Sequence, residues 1–204
     1  VGLALPLIAL QYHEVKLNIT FANVAEASTA KLWVDYIYLD TEERKRFAQM
    51  SHEYLIDQLQ FPGAETVSGT SARIRLNFNH PVKEIIFKAS GGSAAENADV
   101  NDIKLMLNGH DRFASRSARY FTKLQKYYHH SVIGTAAAQD DVYVYSFALR
   151  PEEHQPSGTC NFSRIDNATL SLGTYASVTG VNVYAVNYNV LRVVSGMGGL
   201  AYSN

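Results

Sequence analysis

The sequence lacks the features of a disulfide-stapled, highly charged or membrane-spanning chain. Cys160 is the single cysteine, so no disulfide can form within the chain. Eighteen Lys and Arg against nineteen Asp and Glu leave a net charge of −1, so the chain lacks the overall positive charge on which non-specific nucleic-acid binding depends. The longest apolar run, Leu3 to Leu10, contains Pro6 and is far shorter than the roughly twenty residues of a spanning helix.

The same run, Leu3 to Leu10, also lacks the basic leader and small-residue cleavage site of a secretory signal. Since the chain begins at Val1 rather than Met, we expect a fragment or a processed product whose upstream part is missing. A length of 204 residues predicts one large domain with a single core.

A two-residue alternation of apolar and polar side chains dominates the sequence. Between Val15 and Phe21, apolar side chains at every second position alternate with Lys16, Asn18 and Thr20, which is typical of a half-buried strand. Nine strands are predicted in this way: Val15–Phe21, Leu32–Leu39, Glu53–Phe61, Ala72–Phe78, Val82–Ala89, Ile103–Leu107, Val142–Leu149, Ala168–Leu172 and Val181–Val194.

Turn residues separate these strands. Phe61-Pro62-Gly63 and Asn108-Gly109 are typical turn sequences. Pro81 fixes its own φ and disfavours the helical region for His80. Because only Asn79, His80 and Pro81 separate two patterned strands, we expect those strands to form a hairpin.

Helix is indicated in two places. Asp40 can cap a helix, Glu43 follows it by three residues, and Arg44 to Met50 continue the segment, so a short helix is predicted near 41–50. Ser115–Tyr128 is rich in Arg, Lys and Tyr without clean periodicity, and we expect it to contain a helical turn within a long connection, His110 to Asp140.

An all-β sandwich or barrel follows from many short strands and few helices. The eight strands from Leu32 onward match the count of a jelly roll, in which two four-stranded sheets are built from Greek keys. Val15–Phe21 is left over as a ninth strand.

No catalytic, cofactor or metal site is predicted. The seven histidines show neither a His-x-His pair nor the helical spacing of a zinc motif, which disfavours a cupin-like metal oxidase. Glu152, Glu153 and His154 are grouped as in acid–base sites, but a polar loop between Pro151 and Pro156 explains them better.

Other short motifs also have simpler interpretations. Cys160 is expected to be a small buried side chain, and Gly196 to Gly199 a C-terminal turn rather than a phosphate loop. Three sequons, at Asn18, Asn161 and Asn167, match the N-glycosylation pattern, and the sequence leaves open whether any of them carries sugar.

A basic stretch also contains aromatic residues, the composition of a single-strand-binding surface. It comprises Arg112, Arg116, Arg119, Lys123 and Lys126 with Phe113, Tyr120, Phe121, Tyr127 and Tyr128 interleaved. Since the net charge of the whole chain is near zero, we interpret this stretch as a loop that contacts an acidic neighbour.

Long segments of the sequence resemble the major capsid proteins of nucleocytoplasmic large DNA viruses, the group that includes phycodnaviruses, iridoviruses and mimivirus relatives. These segments are Leu3–Val15, Tyr38–Phe47, His52–Ile56, Phe78–Glu84, Tyr145–Gly158, Asn161–Asn167 and Asn187–Arg192. The resemblance extends from about Gly2 to the C-terminus.

This resemblance implies a double jelly roll. Residues 1–23 would supply the closing strand of a first roll, which is missing here, and a linker, while residues 24–204 would form the second, C-terminal roll. Without the first roll, we expect the apolar edge at Val15–Phe21 to be exposed and to drive association.

The implied function is structural and not enzymatic. Three subunits would form a pseudo-hexagonal capsomer of an icosahedral virion shell, assembled in the host cytoplasm. The implied partners are copies of the chain, minor capsid proteins and an internal membrane, without direct nucleic-acid contact. The alternative is a carbohydrate-binding, lectin-like jelly roll that stacks sugars on the Tyr-rich segments Val142–Leu149 or Tyr120–Tyr128.

Overall fold

The computed structural model of the chain describes residues 3–21, 29–67, 71–90, 100–131, 142–174 and 178–203. The described residues form two antiparallel sheets, and no helix among them is long and apolar enough to cross a membrane. The strands are β1 (His52–Gln60), β2 (Ala64–Thr66), β3 (Ser71–Arg75), β4 (Pro81–Ser90), β5 (Val100–Leu107), β6 (His110–Asp111), β7 (Val142–Ser146), β8 (Cys160–Asn161), β9 (Ala168–Thr174), β10 (Gly180–Val194) and β11 (Met197–Leu200).

The order of the strands is that of a jelly roll. One sheet follows the path β1-β10-β4-β7, with β2 and β11 paired to β10 and β8 paired to β4. The second sheet follows the path β3-β9-β5-β6. The chain therefore passes between the sheets repeatedly, and the predicted all-β jelly-roll fold is confirmed.

Two predicted strands are wrong. Val15–Phe21 and Leu32–Leu39 form no strand, and most of their apolar side chains are exposed, Trp33 by 88% and Tyr38 by 91%. An alternating pattern becomes a strand only where a neighbouring strand accepts its hydrogen bonds and a second layer covers its apolar face. The eighth strand of the roll is instead the two-residue β6.

The predicted hairpin at Asn79-His80-Pro81 is also wrong, because β3 and β4 lie in different sheets. β3 pairs with β9, whereas β4 pairs with β10 and β7. His80 has a left-handed φ of 66°, and this conformation is held by its N–H, which donates to Ser163 Oγ at 2.9 Å, and by its carbonyl, which accepts from the Phe162 N–H at 3.0 Å. The segment therefore redirects the chain from one sheet to the other.

The true hairpins connect β5 to β6 and β10 to β11. Asn108 and Gly109 have φ of 51° and 80°, and Ser195 and Gly196 have φ of 53° and 84°. Two consecutive left-handed residues are typical of the tight turn that matches strand twist. The predicted turn at Asn108-Gly109 is confirmed, and Gly196 to Gly199 belong to this second turn and to β11.

The predicted helix is α1 (Thr41–Gln49), in which Asp40 Oδ1 accepts the N–H of Glu43 at 2.9 Å. The helix ends where Met50 turns to extended backbone. The expected helical turn in Ser115–Tyr128 is a π-helical segment, Tyr120–Leu124, which continues into α2 (Gln125–His129).

The core between the sheets contains a cluster of aromatic side chains. Phe87 of β4 stacks on Tyr143 of β7, with ring centroids 5.0 Å apart. Phe121, from the π-helical segment, is completely buried and meets Phe87 edge-on at 6.0 Å. The long connection between β6 and β7 thus contributes an anchor to the core.

The chain divides into two compact units. One contains Val1–Leu55 and Val190–Ser203, and within it the Tyr12 N–H donates to the Gly196 carbonyl at 2.9 Å. The other, Ile56–Asn189, contains most of both sheets and the aromatic core.

Replacing Phe121 should test the anchoring of the connection. We expect Phe121→Ala to lower the free energy of unfolding by about 3–5 kcal/mol, because it removes a fully buried ring and leaves a cavity. Tyr127→Ala, which truncates an exposed aromatic ring in the same connection, should change it by less than about 0.5 kcal/mol. Urea unfolding measures both, and equal effects would contradict the packing described.

Candidate functional site

The histidines are dispersed, and several of them bind backbone groups. His52 Nε2 lies 2.8 Å from the Phe47 carbonyl, and His129 Nδ1 lies 3.0 Å from the Leu149 carbonyl. His13 Nδ1 accepts the Gly198 N–H. Within the described ranges, no group of three or more His, Cys, Asp or Glu side chains is arranged to hold a metal ion.

His130 contacts two carboxylates that the sequence did not connect to it. Its Nε2 lies 3.0 Å from Oε2 of Glu84 on β4, without hydrogen-bond alignment, and its Nδ1 lies 3.2 Å from Oε1 of Glu152. The other oxygen of Glu152 accepts the Ser131 N–H at 2.8 Å. His130 therefore links the end of α2 to the sheet and to the loop after β7.

The two carboxylates favour the protonated imidazole. The pKa of His130 is raised above its ordinary 6.5, chiefly by its interaction with Glu84, while burial opposes the shift and Glu152 adds to it. The pKa of Glu152 is lowered, first by hydrogen bonding to Ser131 and then by His130. Both ring nitrogens of His130 face carboxylates, so this arrangement is an ion-pair link and not a set of free ligands.

The loop from Pro151 to Pro156 uses its carboxylates in local contacts. Glu152 binds His130 and Ser131, and Glu153 Oε1 lies 3.1 Å from Arg150 Nη1. His154 is exposed. The grouping of these side chains in the sequence thus corresponds to a polar loop tied to its surroundings.

A buried lysine is a second feature that the sequence did not reveal. Lys83 lies where the register of β4 with β10 shifts, and its Nζ is 3.1 Å from Asp57 Oδ2 and 4.9 Å from the centroid of the Tyr188 ring. Its side chain is almost completely buried, so the carboxylate and the ring replace the water that the ammonium loses. No local pattern signals a partner 26 residues away in the sequence.

The remaining candidate side chains lie apart from one another. Cys160 is half-buried at the start of β8, and burial raises the pKa of its thiol, which disfavours the nucleophilic thiolate. Asn161 Oδ1 accepts the Ser163 N–H, and Asn167 Oδ1 accepts the Thr169 hydroxyl. Asn18, Asn161 and Asn167 are all exposed, and their glycosylation stays a prediction.

The aromatic residues of the basic stretch divide between the core and the surface. Phe121 is buried and Phe113 packs against it, with ring centroids 5.6 Å apart. Tyr120 meets Phe121 edge-on and lies under Arg116. Tyr127 and Tyr128 point to solvent. Most aromatic side chains of the basic stretch therefore pack in the fold and are not available to stack on the bases of single-stranded nucleic acid.

The tyrosines of the Tyr-rich strand β7 also pack inside the fold. Tyr143 is buried against Phe87, and Tyr145 packs on Phe113 with ring centroids 4.9 Å apart. These rings fill the core, so β7 does not present them as a platform for sugars.

Large apolar side chains are exposed in each compact unit. In the unit Ile56–Asn189, they include a group that we call the helix patch, formed by Leu124, Tyr127, Tyr128 and Leu149. In the other unit, the two segments predicted as strands, Val15–Phe21 and Leu32–Leu39, expose most of their apolar residues. Large exposed apolar patches are typical of contact surfaces.

The His130 link should make stability depend on pH. The pKa of His130 in the folded state lies above 6.5, so the protonated imidazole stabilises the fold. This contribution is complete below the unfolded-state pKa and is lost as the pH rises through the folded-state pKa. We therefore expect the free energy of unfolding to fall more steeply between about pH 6 and pH 8 in the parent chain than in His130→Gln.

His110→Gln, at an exposed histidine on β6, is the matched control for this measurement by urea unfolding. It should retain the parent slope. Identical slopes in the parent chain and His130→Gln would show that the link does not contribute.

Comparison with known proteins identifies two family models that match the chain in succession. The model described as large eukaryotic DNA virus major capsid protein matches residues 43–199. The model described as major capsid protein N-terminus matches residues 1–40.

Individual relatives agree with these matches. The chain is 54% identical over 233 residues to a major capsid protein of Pyramimonas orientalis virus, and the alignment covers the whole chain and 58% of that protein. It is 44% identical over 282 residues to the major capsid protein of Paramecium bursaria Chlorella virus 1, covering the whole chain and 64% of that protein. The chain thus spans about three-fifths of the length of these relatives.

Solved structures show the same similarity. The crystal structure of PBCV-1 VP54, fitted into a reconstruction of the virophage Sputnik, is 40% identical with a TM-score of 0.78, covering 100% of this chain and 67% of that one. The Faustovirus major capsid protein, at 10% identity, has a TM-score of 0.62 over 77% of this chain and 36% of its own, and it shows the fold alone.

Proposed function

The chain belongs to the family of large eukaryotic DNA virus major capsid proteins, and from this membership we propose that it is part of a structural shell subunit that forms trimers. Three subunits make a pseudo-hexagonal capsomer, and capsomers tile an icosahedral virion. The observation that carries the proposal is the combination of jelly-roll strand order with exposed apolar side chains in both compact units. The relatives reported above are named capsid proteins and give no support to the carbohydrate-binding alternative.

A shell subunit acts through contact area and needs no reacting group. Specific contacts bury on the order of 800 Å² per partner, and obligate contacts bury more. A net charge of −1 suits such packing, because strongly like-charged copies would repel one another at every contact.

The proposed domain organisation explains the exposed apolar side chains of Val15–Phe21. Residues 1–23 supply the closing strand of a first jelly roll and a linker, and residues 24–204 form the second roll. The alternation of Val15–Phe21 then has strand partners and a covering layer in the complete protein. The boundary itself falls in residues 22–28, outside the described part of the chain.

The proposed partners are other copies of the chain, minor capsid proteins and an internal membrane beneath the shell. The proposed location is the virion capsid, after assembly in the host cytoplasm. Direct contact with nucleic acid is not proposed, because the chain as a whole has almost no net charge.

Mass measurement and negative-stain imaging of the complete protein test the proposal. We expect particles of three subunits with a near-hexagonal outline at micromolar concentration, because obligate trimers bury large apolar interfaces. A stable monomer at that concentration would overturn the proposal.

The exposed alternation at Val15–Phe21 allows a test on the 204-residue chain itself. Because Leu17 and Ile19 are exposed by 65% and 62%, we expect the chain to self-associate through this apolar edge. Leu17→Ser with Ile19→Ser should raise the concentration at which half the chains associate, measured by sedimentation velocity.

The matched control substitutes the polar face of the same segment, Lys16→Ser with Asn18→Ser. This control should associate like the parent chain. If both pairs of substitutions had the same effect, the apolar edge would not be the contact.

A further inference from the structure

The His130 link, formed by His130 with Glu84 and Glu152, joins three parts of the fold. His130 follows the last residue of α2, Glu84 lies on β4, and Glu152 lies in the loop Pro151–Pro156. The Glu84 side chain is 10% exposed and the Glu152 side chain is 41% exposed. The two carboxylates therefore differ in their access to water, although both contact the same imidazole.

The link requires a proton that neutral histidine cannot supply. A neutral imidazole has one N–H and one lone pair, but Nδ1 of His130 lies 3.2 Å from Glu152 Oε1 and Nε2 lies 3.0 Å from Glu84 Oε2. In either neutral tautomer, one ring nitrogen would direct its lone pair at a carboxylate oxygen. A proton on Glu84 would serve as well as one on Nε2, so the Glu84–His130 pair holds this proton jointly.

The charged groups that act on the imidazole are the two carboxylates. In the last turn of α2, Lys126 contributes its carbonyl, which accepts the His130 N–H at 2.9 Å. Other charged or titratable side chains of the three elements have partners elsewhere: Lys83 of β4 with Asp57, Glu153 of the loop with Arg150, and His129 of α2 with the Leu149 carbonyl.

Loss of the proton leaves one carboxylate without a donor, and the structure indicates that this carboxylate is Glu152. Glu84 lies on a strand that is paired on both sides, with β10 and β7, and its Oε2 is buried from solvent. An ionised carboxylate without a donor is costly in such a place. Glu152 can instead turn into water by rotating its side chain. The remaining N–H of the neutral imidazole therefore stays with Glu84.

We propose that the His130 link is a proton-operated switch between the end of α2 and the loop Pro151–Pro156. With the proton bound, Glu152 contacts His130 and accepts the Ser131 N–H at 2.8 Å, as the structure shows. Without the proton, Glu152 turns to solvent and the Ser131 N–H loses its acceptor. The contact from His129 to the Leu149 carbonyl remains, so the opening is local. The switch needs only the folded chain and does not rest on the proposed function.

The pKa shifts give the direction of the switch. The pKa of His130 is raised above 6.5, chiefly by Glu84, so the contact is closed at acidic pH and opens as the pH rises through the folded-state pKa. The pKa of Glu152 is lowered from 4.5, chiefly by hydrogen bonding to Ser131. Glu152 therefore stays ionised through mildly acidic pH, where the contact is closed.

Hydrogen–deuterium exchange of the complete protein tests the switch. Exchange at C2 of the imidazole reports the protonation of His130, and exchange of the Ser131 amide reports its contact with Glu152. After correction for the intrinsic pH dependence of amide exchange, protection of Ser131 should fall about tenfold as His130 loses its proton, because a hydrogen bond to a charged acceptor is lost. Unchanged protection across the titration of His130 would overturn the proposal.

Glu152→Gln should reverse the pH response. A side-chain amide offers both a donor and an acceptor, so its NH₂ can donate to the Nδ1 lone pair of neutral His130 while its oxygen accepts the Ser131 N–H. Protection of Ser131 should then be higher at about pH 8 than at about pH 6. A purely structural role for Glu152 gives no such reversal, and a response like that of the parent protein would show the proposal to be wrong.

Glu153→Gln is the matched control, because it changes the next residue, whose carboxylate pairs with Arg150. It should keep the parent response, and thermal unfolding checks that both variants fold like the parent protein. The amides of β4 around Glu84 should keep their protection throughout the titration. If they lose it at the midpoint of His130 while Ser131 stays protected, Glu84 is the group released and the proposed switch is wrong.

Discussion

The structure depends on the two sheets covering each other's apolar faces. Phe87 and Val183 from one sheet and Leu105 and Leu172 from the other are almost fully buried, and they belong to one core cluster. Because the chain crosses between the sheets repeatedly, neither sheet can bury its apolar face without the other. Polar contacts such as that between His130 and Glu84 join elements whose positions are determined by this burial.

Burial between the sheets also holds a segment that lies outside the strands, the connection between β6 and β7. In its described part, the connection between β6 and β7 contains short helical pieces, and Phe121 anchors it by filling space in the core beside Phe87. Gln125 then satisfies the Ser146 N–H on β7, a strand at the end of its sheet path. A connection with these anchors can present exposed tyrosines in a fixed arrangement, which an unanchored loop cannot do.

Much of this fold was accessible from the sequence because strand alternation and capping are local. The periods of β1, β4 and β10 and the Asp40 cap of α1 all depend on residues a few positions apart. The hairpin expected at His80 was wrong because the choice between one sheet and two depends on contacts with Ser163 and Phe162, far along the chain. The Lys83–Asp57 and His130–Glu84 contacts were invisible for the same reason, since no pattern in either partner's neighbourhood encodes a pairing across the fold.

The two failed strand predictions follow the same physical rule as the successful ones. Val15–Phe21 and Leu32–Leu39 have the correct alternation, but a strand needs a neighbour on its edge and a layer on its apolar face. Their exposure therefore measures missing covering surface rather than a weak pattern. Under the proposed domain organisation, the alternation of Val15–Phe21 becomes a strand when the first jelly roll supplies both the neighbouring strand and the covering layer.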